Sequence, residues 1–234
     1  MRPRALESVR ADASTPEAVA KFFAAYRLLC SEFRITCAAQ VWNTDEAMMN
    51  AEGLMETNRM TVVAVKDDAR PEFVIPSVQS GAEAASLVAT VCADGSRLPL
   101  FLVVTGSGGR VPYAVLEQDD GSTRKTLLAS YLGEGAEVHR REKPGFDGPL
   151  WELYARFAAR NLEKKCPGEW TVLLMDGCKV HASSAGLTVL KQSKVVVLML
   201  PSHLSHILQA LDKDPFWKVK ARGRTAMRTI IPTL

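Results

Sequence analysis

Apolar positions recur at helical spacing over residues 15–33. Val19, Phe22, Phe23, Tyr26 and Leu29 form one stripe, with Ser14 or Thr15 as N-cap and Pro16 behind it. The period then shortens. Ala38–Asn43 is a short apolar segment ending in polar residues and predicts a strand, and Thr61–Val65 is a second run rich in β-branched residues. Ala84–Cys92 and Leu98–Thr105 predict two more strands, joined by Ala93-Asp94-Gly95-Ser96, and Asp-Gly between apolar runs is a hairpin signal. From Gly106 to Pro149 glycine and charge dominate, which predicts loops with one short element. Trp151–Leu162 predicts a helix, Trp170–Met175 a strand that stops at Asp176-Gly177, and Val195–Leu200 a strand that stops at Pro201. From Ser205 the helical spacing returns through Ile207, Leu208, Leu211, Phe216 and Val219, interrupted near Pro215. A meander followed by α/β alternation predicts an α/β fold, a mixed sheet with helices on its faces.

Composition narrows the picture little. The chain has 234 residues, 47% apolar and 24% charged, which is ordinary for a globular protein and enough to bury a core without a disulfide or metal staple. A formal charge of +3 permits nucleic-acid binding without demanding it. The five cysteines, Cys30, Cys37, Cys92, Cys166 and Cys178, are odd in number and irregularly spaced, which predicts reduced thiols in an intracellular protein. Met1-Arg2-Pro3-Arg4 leads into a charged stretch with no apolar segment, so no secretory leader is expected. The longest strongly apolar run, Val195–Leu200, is far too short to span a bilayer, and no membrane partner is expected.

Three aspartates stand at informative places. Asp45 follows the first predicted strand, Asp176 caps the strand Val172-Leu173-Leu174-Met175, and Asp212 lies in the helical stretch after the last strand. Carboxylates at strand ends of an open α/β sheet project toward the crevice where ligands bind. Three that converge would suit hard cations such as Mg²⁺ or Mn²⁺. Taken singly, each is an ordinary turn or cap residue, and spacing alone does not show convergence.

The motifs around them resemble, in order, those of the DDE superfamily endonucleases of pogo, Tigger and jerky-like transposases. Asn43-Thr44-Asp45-Glu46 is similar to the family's N-x-D-E motif, and Thr90–Pro99 leading to Gly106 resembles the hairpin that follows it. Leu173-Leu174-Met175-Asp176-Gly177-Cys178-Lys179-Val180-His181 resembles the second-aspartate motif. Leu200-Pro201-Ser202-His203-Leu204-Ser205-His206-Ile207-Leu208-Gln209-Ala210-Leu211-Asp212 resembles the third, L-P-x-x-x-S-x-x-L-Q-P-L-D. The likeness runs from about residue 15 to about 220. It implies an RNase H-like fold and a domain plan of a helical lead-in at 1–36, the DDE endonuclease domain at 37–222 and a basic tail at 223–234. It also implies a metal triad of Asp45, Asp176 and Asp212 holding two Mg²⁺ or Mn²⁺ ions. Glu46 and His181 would be supporting residues, and Asp214 competes with Asp212 as third ligand. DNA is the implied partner, a homo-oligomer is compatible with the likeness, and nuclear action is expected. Gly177 stands where many relatives carry Asn, and Ala210 replaces the usual Pro. Relatives usually carry an N-terminal helix-turn-helix region that precedes the catalytic domain. A catalytically inactive, domesticated or truncated DDE-derived module that binds DNA or protein is therefore the alternative.

Other patterns are weaker. Cys178, His181, His203 and His206 do not have the spacing of a familiar zinc finger. Gly106–Arg110 lacks the Lys-Ser/Thr of a P-loop, and no G-x-S-x-G elbow is present. Lys213, Lys218, Lys220, Arg222, Arg224 and Arg228 form a basic stretch that either contacts DNA phosphates or is a solvated helix face.

Overall fold

The structure, a computed structural model, describes residues 14–50, 62–63, 73–75, 84–105, 113–117, 123–142, 147–178, 183–213, 215–216, 218–219 and 221. Helix α1 (Pro16–Glu32) starts as expected, the Thr15 hydroxyl accepting from Ala18 N at 3.2 Å. The strands are β1 (Val41–Asn50), β2 (Val62–Val63), β3 (Phe73–Ile75), β4 (Ala84–Cys92), β5 (Phe101–Thr105), β6 (Tyr113–Glu117), β7 (Thr123–Leu127), β8 (Glu137–Arg141), β9 (Thr171–Met175) and β10 (Val195–Met199). The later helices are α2 (Leu128–Leu132), α3 (Gly148–Lys165), α4 (Ser184–Gln192), α5 (Ser205–Leu208) and α6 (Ala210–Lys213). Six strands form a sheet in the order β10-β9-β1-β4-β5-β8, and β2-β3-β6-β7 form a second sheet. The larger is a mixed sheet flanked by helices, the α/β architecture that the sequence predicts.

The chain divides into two compact units, residues 1–45, 90–98 and 146–214, and residues 46–89, 99–145 and 215–234. In the first, β10, β9 and β1 run parallel. Helix α3 covers this part of the sheet because its apolar residues recur on one broad stripe, with Leu150, Trp151, Tyr154, Ala155, Phe157, Ala158, Ala159 and Leu162 all buried. It begins where the Asp147 carboxylate accepts from Leu150 N at 3.1 Å, and Lys164 and Lys165 in its last turn complement the helix dipole. Helix α4 packs on it at Gly186, where any Cβ would run into the Trp151 indole. In the second unit β4 and β5 form the expected hairpin strands, from Ala85↔Val104 to Val88↔Phe101. Ala85, Leu87, Leu102 and Leu128 form the core there.

Four expectations need correction. Residues 38–40 are a 3₁₀ turn rather than strand, because the Gln40 side chain folds back to accept from Thr36 N and Cys37 N at 2.8 and 3.2 Å. The strand begins at Val41 and continues through Asn50, so Asp45 sits within β1 instead of after it. Where the sequence predicts loops with one short element, the described residues between 106 and 147 include three strands and a short helix. The sequence of β7, Thr-Arg-Lys-Thr-Leu, has no apolar stripe to read, and β8 is half-buried along its whole length, so neither alternates. Both are strands through backbone pairing, β7 with β6 and β8 with β5. Finally, the helical stretch expected from Ser205 is broken at Gln209 with ψ 105°, α5 ending there and α6 starting at Ala210, and residues 215, 216, 218, 219 and 221 are helical as well.

Candidate functional site

Strands β1, which carries Asp45, and β9, which leads to Asp176, are parallel neighbours. The register pairs Val41 with Val172, Trp42 with Leu173 and Asn43 with Leu174. The pairing ends there, two residues before Asp45 on β1 and two residues before Asp176, which follows the last residue of β9. Thr44, one step earlier on β1, turns its hydroxyl to α3, so alternation directs Asp45 to the side away from that helix. Asp45 and Asp176 are both partly exposed. Alternation also sends Glu46 to the face opposite Asp45.

The polar residues before Asp45 stay in the strand because each finds a partner. Asn43 Nδ2 donates to Leu174 O at 3.3 Å, tying β1 to β9 two residues before each aspartate. Thr44, Thr90 and Tyr154 form a buried ring of hydroxyls. Tyr154 donates to Thr44 at 2.6 Å, Thr90 and Tyr154 are 2.8 Å apart, and the two threonines are 3.1 Å apart. Each hydroxyl can donate once and accept once, so all three are satisfied without water. Burial pushes the Tyr154 phenol up to about 12, against the opposing pull of its hydrogen bonds to Thr44 and Thr90. Sequence reasoning missed Thr90 and Tyr154. Their signal was a polar group within an apolar strand and within an apolar helix stripe.

The third motif packs through its leucines. Leu200, Leu204 and Leu211 are at most 2% exposed, and Leu200 N donates to Met175 O at 2.7 Å, joining the ends of β9 and β10. Gly177 lies so close that a Cβ there would be 2.9 Å from Leu200 O. His203 holds a left-handed φ of 64°, and His206 Nε2 lies 3.0 Å from Ser14 Oγ. Gln209 is fully buried, and its Nε2 donates to Thr44 O at 3.1 Å. The helix break thus meets β1 one residue before Asp45, and Asp212 follows three residues later, exposed in α6.

Two of the three motif aspartates follow the paired segment of β1 and β9, and the third is on helix α6. Among the described residues, no group of three or more His, Cys, Asp or Glu is close enough to hold a metal ion. Asp45 and Asp176 nonetheless fit a hard cation as a donor pair. Both are oxygen ligands, and like charges side by side gain from a divalent ion between them. His181, Asp214, Lys220, Arg222 and Arg224 lie outside the described residues, while Lys218 is exposed. The five cysteines are free thiols, and burial pushes those of Cys92 and Cys166 up, away from the thiolate form that binds metal. Among the described residues, no helix is long and apolar enough to cross a membrane.

No protein-family model and no curated protein matches the chain. Three solved structures are similar to it. The Mos1 transposase paired-end complex with left transposon end has 12% identity and a TM-score of 0.45, covering 94% of this chain and 50% of that one. The Mos1 mariner paired-end complex with Mn has 11% identity and a TM-score of 0.44, covering 93% and 50%. The pre-cleavage Mos1 transpososome has 12% identity and a TM-score of 0.45, covering 95% and 52%. The chain spans about half the length of the solved chains it matches.

Proposed function

We propose that the chain is a transposase-derived domain of the DDE type that binds DNA and cuts or transfers its strands with divalent metal. The observation that carries the reading is the parallel pairing of β1 with β9 up to Asn43↔Leu174, two residues before each of two motif aspartates that lie far apart in sequence. Asp45 and Asp176 would hold the metal as oxygen donors, and Asp212 would complete the set from α6. The three carboxylates would hold two Mg²⁺ or Mn²⁺ ions, and the chemistry supplied there would be Lewis-acid activation of a water or 3′-hydroxyl and charge stabilisation at a phosphodiester. The protein's own part is positioning. The parallel pairing and the Asn43 amide tie β1 to β9 two residues before the first two carboxylates, and the hydroxyl ring fixes β1 against α3.

Mn²⁺ titration by calorimetry tests this on the wild type and on Asp45→Asn and Asp176→Asn. Each variant should bind on the order of tenfold more weakly or worse, a loss of about 1.4 kcal/mol or more. Unchanged affinity in both would remove the pair as a metal site.

A second reading is a metal-independent binding module on the same fold. It is favoured by the exposed Asp212, which forms no metal-holding group with the other two aspartates among the described residues. DNA binding indifferent to Mn²⁺ and to both substitutions would select it.

A further inference from the structure

Gln209 is an expensive residue for its place. Its side chain is fully buried, and among the described residues Oε1 has no hydrogen-bond partner. A buried acceptor left unmatched costs about 1–3 kcal/mol, whereas an apolar side chain of similar volume would fill the space without that cost. Packing therefore does not account for an amide here. What the amide supplies is one directed bond, Nε2 to Thr44 O at 3.1 Å.

That bond has a particular location. Thr44 is one residue past the last register pair of β1 with β9, and it immediately precedes Asp45. On the other side, Gln209 is the residue at which the helical stretch breaks, its ψ of 105° separating α5 from α6. Leu208 N and Gln209 N bond back to Leu204 O and Ser205 O at 2.9 and 2.8 Å, so α5 is complete before the break. Helix α6 then begins anew from a residue fixed to β1. The direction of α6 depends on what holds its start.

We infer that Gln209 is a positioning residue, whose amide fixes the α6 segment carrying Asp212 to the strand carrying Asp45. Its consequence for metal binding rests on the function proposed above. The anchoring itself does not. Buried polar contacts of this kind trade stability for one defined arrangement.

Gln209→Met keeps the volume and removes the unmatched acceptor, which offsets the loss of a donor to the Thr44 carbonyl, so it should fold with a melting temperature close to that of the wild type. Hydrogen exchange reads the anchor directly. The amides of Leu211, Asp212 and Lys213 should exchange on the order of tenfold faster in the variant, while those of Thr171–Met175 stay the same. Equal exchange in α6 would overturn the inference, whatever the metal does. Mn²⁺ titration of Asp212→Asn in both backgrounds adds a readout that a packing role would not move. The Asp212 substitution should weaken binding in the wild type and have little further effect beside Gln209→Met. An equal loss in the two backgrounds would also overturn the positioning role. A folded wild type that binds no Mn²⁺ while α6 loosens in Gln209→Met would sink the metal reading and leave the anchor established.

Discussion

At the scale of single residues, Tyr154 offers a clean test of the hydroxyl ring. Its phenol is protonated in the folded protein up to about 12, against an ordinary value of 10.0 when unfolded. Between those values the unfolded chain has lost a proton that the folded one keeps, so stability falls as pH rises. The slope from this group approaches about 1.4 kcal/mol per pH unit, and the contribution is fully present below pH 10. Urea midpoints of wild type and Tyr154→Phe at pH 9, 10 and 11 isolate it. The variant should start lower by about 1–3 kcal/mol, having left Thr44 and Thr90 short of a partner, and the gap should narrow with rising pH. A constant gap would mean that Tyr154 ionises no later in the fold than outside it. Asn43, Thr44 and Asp45 were legible in the sequence as a motif, yet as polar residues they were read as the end of a strand. Their partners Leu174, Thr90, Tyr154 and Gln209 come from 46 to 165 positions away, a separation no local pattern reports.

At the scale of elements, the sequence was most readable where one face is buried against one layer. Helix α3 carries such a face, the segments α1, β4, β9 and β10 carry clear apolar runs or periods, and all five lie close to their predicted spans. It was least readable where pairing alone makes the element, as in β6, β7 and β8, and where a side chain interrupts a helix from within, as at Gln209. The meeting of β9 and β10 shows how tightly this part is built. Gly177 follows Asp176, and a Cβ there would press on the Leu200 carbonyl, which is backbone and cannot rotate away. Restoring the Asn that many relatives of the resembling family carry, by Gly177→Asn, should therefore destabilise this chain. Overpacking of this kind costs about 1–3 kcal/mol, read as a lower urea midpoint at unchanged slope. A neutral result would mean that the strand ends move apart freely, and that the spacing around Asp176 is softer than the contact implies.

For the molecule as a whole, the electrostatic balance bears on how DNA would be held. A net charge of +3 over 234 residues is too small for strong attraction by the whole surface. The candidate site adds to the difficulty, since its carboxylates repel phosphate unless metal is bound. Affinity must then come from a local cluster, and Lys218, Lys220, Arg222 and Arg224 are the densest one in the chain. Each lysine or arginine that neutralises a phosphate releases counterions and adds about 0.9 to the slope of log affinity against log salt. Replacing all four by Gln should lower that slope by about 3–4 for duplex DNA of unrelated sequence. Asp45→Asn should leave the slope nearly unchanged in the absence of metal, because it removes a repulsion without removing a phosphate contact. If the four-residue variant keeps the wild-type slope, the basic stretch is a solvated helix face, and DNA, if bound, is held elsewhere. A full drop with unchanged folding would assign it the grip that the aspartates cannot supply.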